Sequence, residues 1–552
     1  MKDLQNFYQN FCKVEFDENG VLSFFEPVFD DHYNFGYDVI DKIAELDPDR
    51  PAMLWCNEQG EEKTFTYADM SRYSNMAANM FLKNGIQRGD RVMLILKRHY
   101  EFWFSILALH KIGAIAIPAT NLLTKKDILY RFKAADVKSI LCTRDGEVSE
   151  HVEQACAEYD GLVCKFMVHG GDEGWIDFGA ALESYSDRLD RQETDVTDGM
   201  LLYFTSGTTG QPKMVLHDHT YAIAHIITAK FWQNIPQDGL HLTLSETGWG
   251  KAAWGKLYGQ WTAGACIFVY DFDKFQPADL LRIIEQHGIT SFCAPPTIFR
   301  FFIKEGMADY DLSTLKYTTI AGEALNPEVY NRFKEFTGLQ LMEGFGQTET
   351  TLLLANLVGS TPKPGSMGKP SPLYNVVLVD EDGNEVNPGE VGEICVRTEP
   401  GKKQVGLFMG YYRDQEKTNE AWHDNLYHTG DTAWKDEDGY FWYVGRTDDV
   451  IKSSGYRIGP FEIESVLMEH PSVLECAITA VPDPIRGQVV KATIVLTSGY
   501  TASEELKKEL QNYVKKQTAP YKYPRVVEFV AELPKTISGK IRRVQIRDQD
   551  SQ

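Results

Sequence analysis

The chain has 552 residues, of which 43% are apolar and 24% charged, a composition typical of a folded protein that is too long for one core. Its formal net charge of −23 argues against nucleic acid and anionic membranes as partners, because both repel an acidic surface. The nine cysteines include no CxxC pair, which predicts reduced thiols, a cytoplasmic location and no zinc site.

The amino-terminal region shows no basic segment followed by an apolar core, so we expect no signal peptide. The most apolar stretch, Trp103 to Ala119, is interrupted by His110, Lys111 and Pro118. A membrane span needs a longer uninterrupted run of apolar residues. This stretch therefore predicts a buried helix and strand, and we expect no integral membrane contact.

A loop rich in glycine and hydroxyl groups follows the predicted strand that ends at Tyr203-Phe204. Its two glycines allow backbone N–H groups to turn toward one anion, and its lysine adds a positive charge. The loop is not a Walker A motif, because a proline precedes the lysine and Met214-Val215-Leu216 continues as a strand. We predict a phosphate-binding flap between two strands, made of Thr205, Ser206, Gly207, Thr208, Thr209, Gly210, Gln211, Pro212 and Lys213.

A βαβ crossover is the clearest unit in the middle of the chain. Leu315 to Leu325 predicts a strand and a loop, Asn326-Pro327 starts a helix, and Leu339 to Gly344 predicts a second strand. Ligands bind at the carboxyl ends of the strands in such sheets. The loops at Gly322 and Gly346 are therefore expected on one functional edge.

The last third of the chain changes character. Beyond Pro362 the segments are short and separated by turn signals, which predicts a small β-barrel-like subdomain. We place an α/β N-terminal domain over residues 1–447 and a compact α+β C-terminal domain over residues 448–552. The final segment, Thr501 to Gln552, has eleven basic and seven acidic residues. It is either an ordinary solvated face or a surface for a polyanion such as a nucleotide or coenzyme A.

Five further motifs follow the phosphate loop in order. They are AGEA (Ala321 to Ala324), GFGQTE (Gly344 to Glu349), YHTGD (Tyr427 to Asp431), GRTDDVIKSSGYRI (Gly445 to Ile458) and PKTISGKIRR (Pro534 to Arg543). With TSGTTGQPK, they resemble the AMP-forming adenylating enzymes: acyl-CoA synthetases, luciferases and the adenylation domains of peptide synthetases. The resemblance covers nearly the whole chain and implies the adenylate-forming enzyme fold. SETGWGKAAWGKLYGQW (Ser245 to Trp261) is similar to the corresponding stretch of medium-chain acyl-CoA synthetases.

This resemblance implies how ATP is bound. The loop from Thr205 would hold the phosphates, and Glu349, a hard carboxylate, would hold the Mg²⁺ that bridges them. Asp431 would accept hydrogen bonds from both ribose hydroxyls. Phe345 stands where the family more often has tyrosine, which keeps the stacking face but loses a hydroxyl. Further nucleotide or coenzyme A contacts are expected from Gly322, Glu323, Ala324, Gly344, Phe345, Gly346, Thr348, Arg446, Gly455 and Arg457.

The resemblance also implies two half-reactions. The carboxylate of the acid attacks the α-phosphorus of ATP, while Lys540, Thr205 and Glu349 act as the catalytic groups. The C-terminal domain then swings about Asp448, and the thiol of coenzyme A reaches the acyl-adenylate past Gly455. A lysine in the context of Lys540 is also a candidate for a protein acetyltransferase, which would silence adenylation.

The acid is expected to be an apolar monocarboxylate: medium-chain, short branched or aromatic. Trp249 would wall the acid channel, Gly322 and Gly346 would leave space across it, and Trp254 and Trp261 are interpreted as core anchors. No lysine or arginine is clearly placed to pair a second acidic group. Chain length and branching stay open, because pocket depth depends on rotamers.

Two alternatives remain beside a coenzyme A ligase. The first is a ligase that loads the pantetheine arm of a carrier protein, and the second is a nucleotide-binding protein without catalytic activity. Twelve residues follow Lys540, so we expect no carrier domain, which disfavours a peptide-synthetase module.

Overall fold

The computed structural model describes residues 4–205, 211–402, 404–453, 456–536 and 540–550. Within these ranges the chain forms two large sheets of eight and nine strands, two five-stranded sheets, and a hairpin of Cys12–Phe16 and Leu22–Pro27. Helices connect most strands of the two large sheets. The predicted α/β class is confirmed.

The eight-stranded sheet carries the predicted phosphate loop. In spatial order its strands are Gly410–Tyr411, Lys213–Asp218, Gly199–Thr205, Ile115–Pro118, Arg91–Ile95, Val137–Thr143, Cys164–Val168 and Ile176–Asp177. From Gly199–Thr205 to the far edge the strands pair in parallel, so their carboxyl ends meet at one edge. The apolar stretch beginning at Trp103 forms the buried helix Glu101–Lys111 and the buried strand Ile115–Pro118, as predicted.

The nine-stranded sheet contains the predicted βαβ crossover. Its strands, in spatial order, are Lys369–Pro370, Leu354–Ala355, Leu341–Phe345, Tyr317–Ile320, Ser291–Ala294, Leu240–Thr243, Cys266–Asp271, Pro51–Asn57 and Glu62–Thr66. The Asn326 side chain accepts a hydrogen bond of 2.7 Å from the Glu328 N–H and starts the helix Pro327–Thr337. Gly338 ends that helix with a φ of 73°, in the left-handed region that glycine adopts without strain.

Two smaller sheets follow in the last third of the chain. The first is antiparallel and consists of Asn375–Val379, Val391–Arg397, Trp422–His423, Leu426–Lys435 and Phe441–Arg446. The second consists of Ile451–Ser453, Tyr456–Ile458, Val473–Asp483, Gly487–Leu496 and Val526–Phe529. This second sheet packs around its own apolar cluster, which runs from Ile451 to Val527. A domain needs its own apolar core to move as a unit relative to the rest of the chain.

In the last sheet, two helices share one apolar cluster with the strands and the final helix packs in a second cluster with the alternate residues of those strands. The helices among the described residues are Lys42–Leu46, Tyr67–Lys83, Glu101–Lys111, Lys125–Ala135, Val148–Cys156, Phe178–Leu182, Thr220–Ile226, Gly250–Gly255, Tyr258–Thr262, Pro277–His287, Pro296–Glu305, Pro327–Thr337, Gln415–Ala421, Pro460–Met468, Glu504–Gln517 and Arg543–Asp550. In the described part of the chain, none of them has the length and apolarity needed to cross a membrane. All nine cysteines carry free thiols.

Candidate active site

The predicted phosphate loop joins two antiparallel strands, as expected for a flap rather than a Walker A loop. Thr205 at the end of the first strand lies opposite Lys213 at the start of the second. The Lys213 ammonium lies 3.4 Å from the Tyr411 hydroxyl and 4.7 Å from the centre of its ring. The other predicted loop residues Ser206, Gly207, Thr208, Thr209 and Gly210 lie outside the described residues.

Glu349 lies next to this strand pair. The Tyr411 hydroxyl donates a hydrogen bond of 3.0 Å to Glu349 Oε1, so Tyr411 stands between Lys213 and Glu349. Burial and the adjacent Glu349 carboxylate raise the pKa of the Tyr411 hydroxyl, which keeps it protonated as a donor. Glu349 is half-buried and offers carboxylate oxygens, the ligands that Mg²⁺ prefers.

Asp431 is the most heavily bonded of the predicted site residues. Only 5% of its surface is exposed, and its oxygens accept hydrogen bonds from Tyr443 Oη at 3.1 Å and Gln347 Nε2 at 2.5 Å. Arg446 lies opposite Asp431 on the paired strand, with Nη1 at 3.4 Å from Oδ2. Burial raises the pKa of the Asp431 carboxyl, and Arg446, Tyr443, Gln347 and the Lys540 charge oppose that rise.

The segment that follows Arg446 links two anchored residues. Arg446 is tied to Asp431 on one side, and Asp449 pairs with Arg543 and Arg547 of the last helix on the other. Asp448 lies between them, is exposed, and approaches Arg446 Nε only to 3.9 Å. The least restrained side chain of this turn is therefore the predicted hinge residue.

The AGEA loop follows the strand Tyr317–Ile320 at its carboxyl end. Gly322 has a φ of 106°, a conformation that side chains rarely tolerate. The Lys251 ammonium donates a hydrogen bond of 2.6 Å to the Ala321 carbonyl and lies 3.9 Å from where a Cβ of Gly322 would stand. Glu323 is exposed and Ala324 is half-buried.

The GFGQTE segment continues the neighbouring strand on the same edge. Gly344 is buried within the strand, and Phe345 is half-buried at its end, with its ring centre 6.4 Å from that of Tyr443. The Thr348 carbonyl lies 2.7 Å from His217 Nε2, which ties this segment to the strand after the phosphate loop. The structure thus brings the predicted adenine residues together with the tyrosine that contacts Asp431.

The three tryptophans of the Ser245–Trp261 segment differ in position. Trp249 is half-buried at the start of the short helix Gly250–Gly255. A Cβ at Gly346 would lie 2.4 Å from the Trp254 ring, so Gly346 accommodates Trp254 rather than leaving open space. Trp261 is buried and donates to a backbone carbonyl at 2.8 Å, as a core anchor does.

The predicted site residues of the C-terminal domain differ in position. Lys540 is exposed, and its backbone is held by Thr536 through hydrogen bonds of 2.8 and 3.1 Å. Burial lowers the pKa of the Lys251 amine, and the Lys540 charge lowers it further; at Asp431 the same charge opposes the pKa rise that burial causes. Arg457 is not brought to these residues, because its guanidinium pairs with Glu381 at 2.5 Å. Gly455 lies outside the described residues.

Sequence reasoning overlooked four side chains that the structure places among the predicted ones: Gln347, Tyr411, Tyr443 and Lys251. Gln347 and Lys251 lie inside motifs named above, and that position could have marked them as site residues. Tyr411 and Tyr443 come from separate strands and carry no sequence signal of their own.

The comparisons with known proteins agree with this geometry. The sequence profile of the AMP-binding enzyme family matches residues 40–412, and the profile of the AMP-binding enzyme C-terminal domain matches residues 462–540. The acyl-coenzyme A synthetase ACSM3, mitochondrial, of Mus musculus is 40% identical over 98% of this chain and 94% of its own length. The acyl-coenzyme A synthetase ACSM5, mitochondrial, of Rattus norvegicus is 43% identical over 94% of this chain and 91% of its own length.

Two solved structures resemble the fold along almost the whole chain. The anthranilate CoA ligase AuaEII in complex with anthranoyl-AMP has a TM-score of 0.86 at 27% identity, covering 95% of this chain and 98% of that one. The Brucella canis acyl-CoA synthetase has a TM-score of 0.72 at 32% identity, covering 94% of each chain.

The expectation of a cytoplasmic location is contradicted by the curated relatives, which are mitochondrial proteins. The prediction rested on unpaired cysteines, and reduced thiols are not specific to the cytoplasm. The family itself is shown by profiles that cover most of the chain and by relatives at about 40% identity. The chain therefore belongs to the AMP-binding enzyme family and has the adenylate-forming enzyme fold.

Proposed function

We propose that this chain adenylates an apolar monocarboxylic acid with ATP and transfers the acyl group to coenzyme A, releasing AMP and pyrophosphate. The observation that supports this proposal most is the environment of the buried Asp431 carboxyl. The Lys540 charge lowers its pKa, and Gln347 of the GFGQTE segment donates a hydrogen bond to it. Acyl-coenzyme A synthetases are also the curated relatives over nearly the full length. That favours coenzyme A over a carrier protein as the acceptor and disfavours a non-catalytic role.

Asp431 is proposed to bind the ribose of ATP. Its two oxygens already accept from Tyr443 and Gln347, and each carboxylate oxygen has a second lone pair for a ribose hydroxyl. Arg446 lowers the pKa of this carboxyl against the rise that burial causes. Phe345 and the AGEA loop would then bound the adenine on its two faces.

Glu349, Lys213 and the loop that begins at Thr205 are proposed to hold the phosphate end. Tyr411 donates to Glu349 and lies beside Lys213, so it links the carboxylate to the strand that begins at Lys213. The Glu349 carboxylate fits a hard cation. Mg²⁺, when bound there, neutralises charge on the phosphate oxygens.

Lys540 is proposed as the catalytic lysine of adenylation. The nucleophile is the carboxylate of the acid, so the protein needs positioning and positive charge rather than a general base. The Lys540 charge already acts on Asp431 and on Lys251 from the N-terminal part of the chain. Because Lys540 is exposed, a protein acetyltransferase could reach it, and acetylation would remove this charge.

Asp448 is proposed as the hinge between domains at residues 1–447 and 448–552. Arg446 is fixed to the preceding sheet and Asp449 to the last helix, so rotation is concentrated in the exposed turn between them. Swinging the C-terminal domain would withdraw Lys540 and open a path for the thiol, with Gly455 and Arg457 as candidate contacts for coenzyme A.

The acid pocket is proposed to lie between Trp249, Gly322 and the Gly346–Trp254 contact. These residues meet at the carboxyl edge of the nine-stranded sheet. Trp254 fills the space beside Gly346, which favours a medium-chain, short branched or flat acid over a bulky one. The Lys251 ammonium already donates a hydrogen bond to the Ala321 carbonyl.

The curated relatives are mitochondrial, so a mitochondrial location is proposed for this chain.

The test is acid-dependent AMP formation by the purified chain with ATP, Mg²⁺ and coenzyme A. The panel should contain straight acids from two to twelve carbons, branched acids and aromatic acids, with a holo-carrier protein as the competing acceptor. We expect AMP and acyl-CoA in equal amounts with at least one apolar acid. Absence of AMP with every acid would contradict the proposal, and thioester on the carrier alone would change the acceptor.

A further inference from the structure

A second group of functional side chains lies on the carboxyl edge of the eight-stranded sheet. His99, Asp145 and His169 each follow one of three adjacent parallel strands, so the sheet order brings them together although they are far apart in sequence. None of them belongs to the ATP site described above. Two strands separate the strand before Asp145 from the one that ends at Thr205, which is about 14 Å at the usual strand spacing.

The spacing of these side chains is that of metal ligands. One ligand atom from each of the three lies within 4.8 Å of the other two. His99 Nε2 and His169 Nδ1 both lie 3.3 Å from the same oxygen, Asp145 Oδ2. A tetrahedral zinc ion with bonds of about 2.0–2.2 Å separates its ligand atoms by about 3.3 Å. Two of the three distances between the ligand atoms therefore already match this separation.

A second carboxylate orients His99. Its Nδ1 lies 2.7 Å from Oδ2 of Asp271, which ends a strand of the nine-stranded sheet, and both side chains are almost fully buried. An imidazole that binds a metal commonly donates its other N–H to a carboxylate. With the Nδ1 proton directed to Asp271, His99 Nε2 is left as an acceptor, 2.9 Å from the Thr143 hydroxyl oxygen and 3.3 Å from Asp145 Oδ2.

The group opens on a cavity of about 200 Å³ whose lining includes His99, Asp145, His169 and Asp271. The cavity has room for water, which can complete a four-coordinate site. It also contains Lys97, whose ammonium lies 3.9 Å from Asp145 Oδ2.

We propose that His99, Asp145 and His169 bind one divalent transition-metal ion of the zinc type, with water from the cavity as the fourth ligand. Two imidazoles and a carboxylate are a donor set suited to Zn²⁺ and Co²⁺ and unsuited to Mg²⁺. The ion joins three loops of one large sheet, and Asp271 extends the link to the other. Its role is to fix the two sheets relative to each other. Cysteine spacing could not reveal the site, because the site contains no cysteine.

The test uses the full chain, stripped of metal with a chelator and titrated with Co²⁺ followed by visible absorption. We expect one tight equivalent with the strong absorption of four-coordinate Co²⁺ and no thiolate charge-transfer band, displaced by Zn²⁺. His169→Asn should weaken binding by more than the roughly tenfold to hundredfold that loss of an outer-shell partner costs, since asparagine tolerates the φ of 65° at this exposed position but lacks the imidazole. Zn²⁺ should raise the Tm of the unmodified chain and not that of His169→Asn.

The matched control is His32→Asn, which removes an exposed histidine 3.5 Å from a single carboxylate, Asp195. It should bind Co²⁺ like the unmodified chain. Failure to saturate, or equal binding by His169→Asn, would overturn the proposal and leave an ion-pair network. A thiolate band that disappears in Cys395→Ser would also overturn it, because the ion would then occupy the separate group of Glu393, Cys395 and His428.

Discussion

Replacing Tyr443 with phenylalanine tests whether Asp431 binds ATP as an ionised carboxylate. The change removes the hydrogen bond of 3.1 Å from Tyr443 Oη to Asp431 Oδ1 and keeps the ring beside Phe345. A hydrogen bond to a charged acceptor contributes about 1.5–3 kcal/mol. Gln347 and Arg446 still hold the carboxylate, so we expect the lower end of that range, which is about a tenfold loss in kcat/KM for ATP.

The pH dependence of kcat/KM for ATP provides a second, independent test of the same substitution. Burial already raises the pKa of Asp431 in the folded enzyme, and Tyr443 opposes that rise. The ionised form is present above this pKa and is lost as pH falls through it, so ATP binding should fall on the acid side. Without the Tyr443 hydroxyl, the acid limb of kcat/KM for ATP should move to higher pH.

The assay is kcat/KM for ATP from mildly acidic to mildly alkaline pH, at saturating acid and coenzyme A. Tyr440→Phe is the matched control, because it removes a hydrogen bond of 2.7 Å to the Thr361 carbonyl just before the same strand. That variant should keep the acid limb in place. Equal profiles for Tyr443→Phe and Tyr440→Phe would refute the assignment of Asp431.

Three further changes test the other roles. Glu349→Gln should raise the Mg²⁺ concentration needed for half-maximal activity at least tenfold and lower kcat by about 10²–10³; an unchanged Mg²⁺ dependence would remove Glu349 as the metal ligand. Asp448→Pro fixes φ at the hinge and should preserve ATP–pyrophosphate exchange while abolishing thioester formation. Asp448→Ala should keep both reactions. Loss of both reactions in the proline variant would argue against the hinge. Trp249→Ala should shift kcat/KM toward longer acids, and an unchanged ratio between four- and ten-carbon acids would place the channel wall elsewhere.

The fold was predictable where local chemistry decides it. The Asn326 cap, Pro327 and Gly338 mark both ends of one helix, and the strands on either side are parallel as a right-handed crossover requires. The proline before Lys213 likewise indicated a strand rather than a helix after the phosphate loop.

The remainder depends on which strands become neighbours, and spacing in the sequence does not reveal that. Tyr411 meets Glu349 and Tyr443 meets Asp431 only after the sheets have formed. The same holds for the His99 group, which is assembled from three strands. Gly346 was expected to leave space, but the ring of Trp254 lies against it because their loops converge at one sheet edge.

The role of Lys540 is the central claim, and separating the two half-reactions tests it most directly. Lys540→Ala should lower acid-dependent ATP–pyrophosphate exchange by at least about a hundredfold and leave the conversion of supplied acyl-adenylate to thioester nearly unchanged. Lys535→Ala, which replaces a lysine five residues earlier that pairs with Glu475 at 2.7 Å, should leave both reactions intact. Exchange that survives in Lys540→Ala, or an equal loss of both half-reactions, would contradict the account.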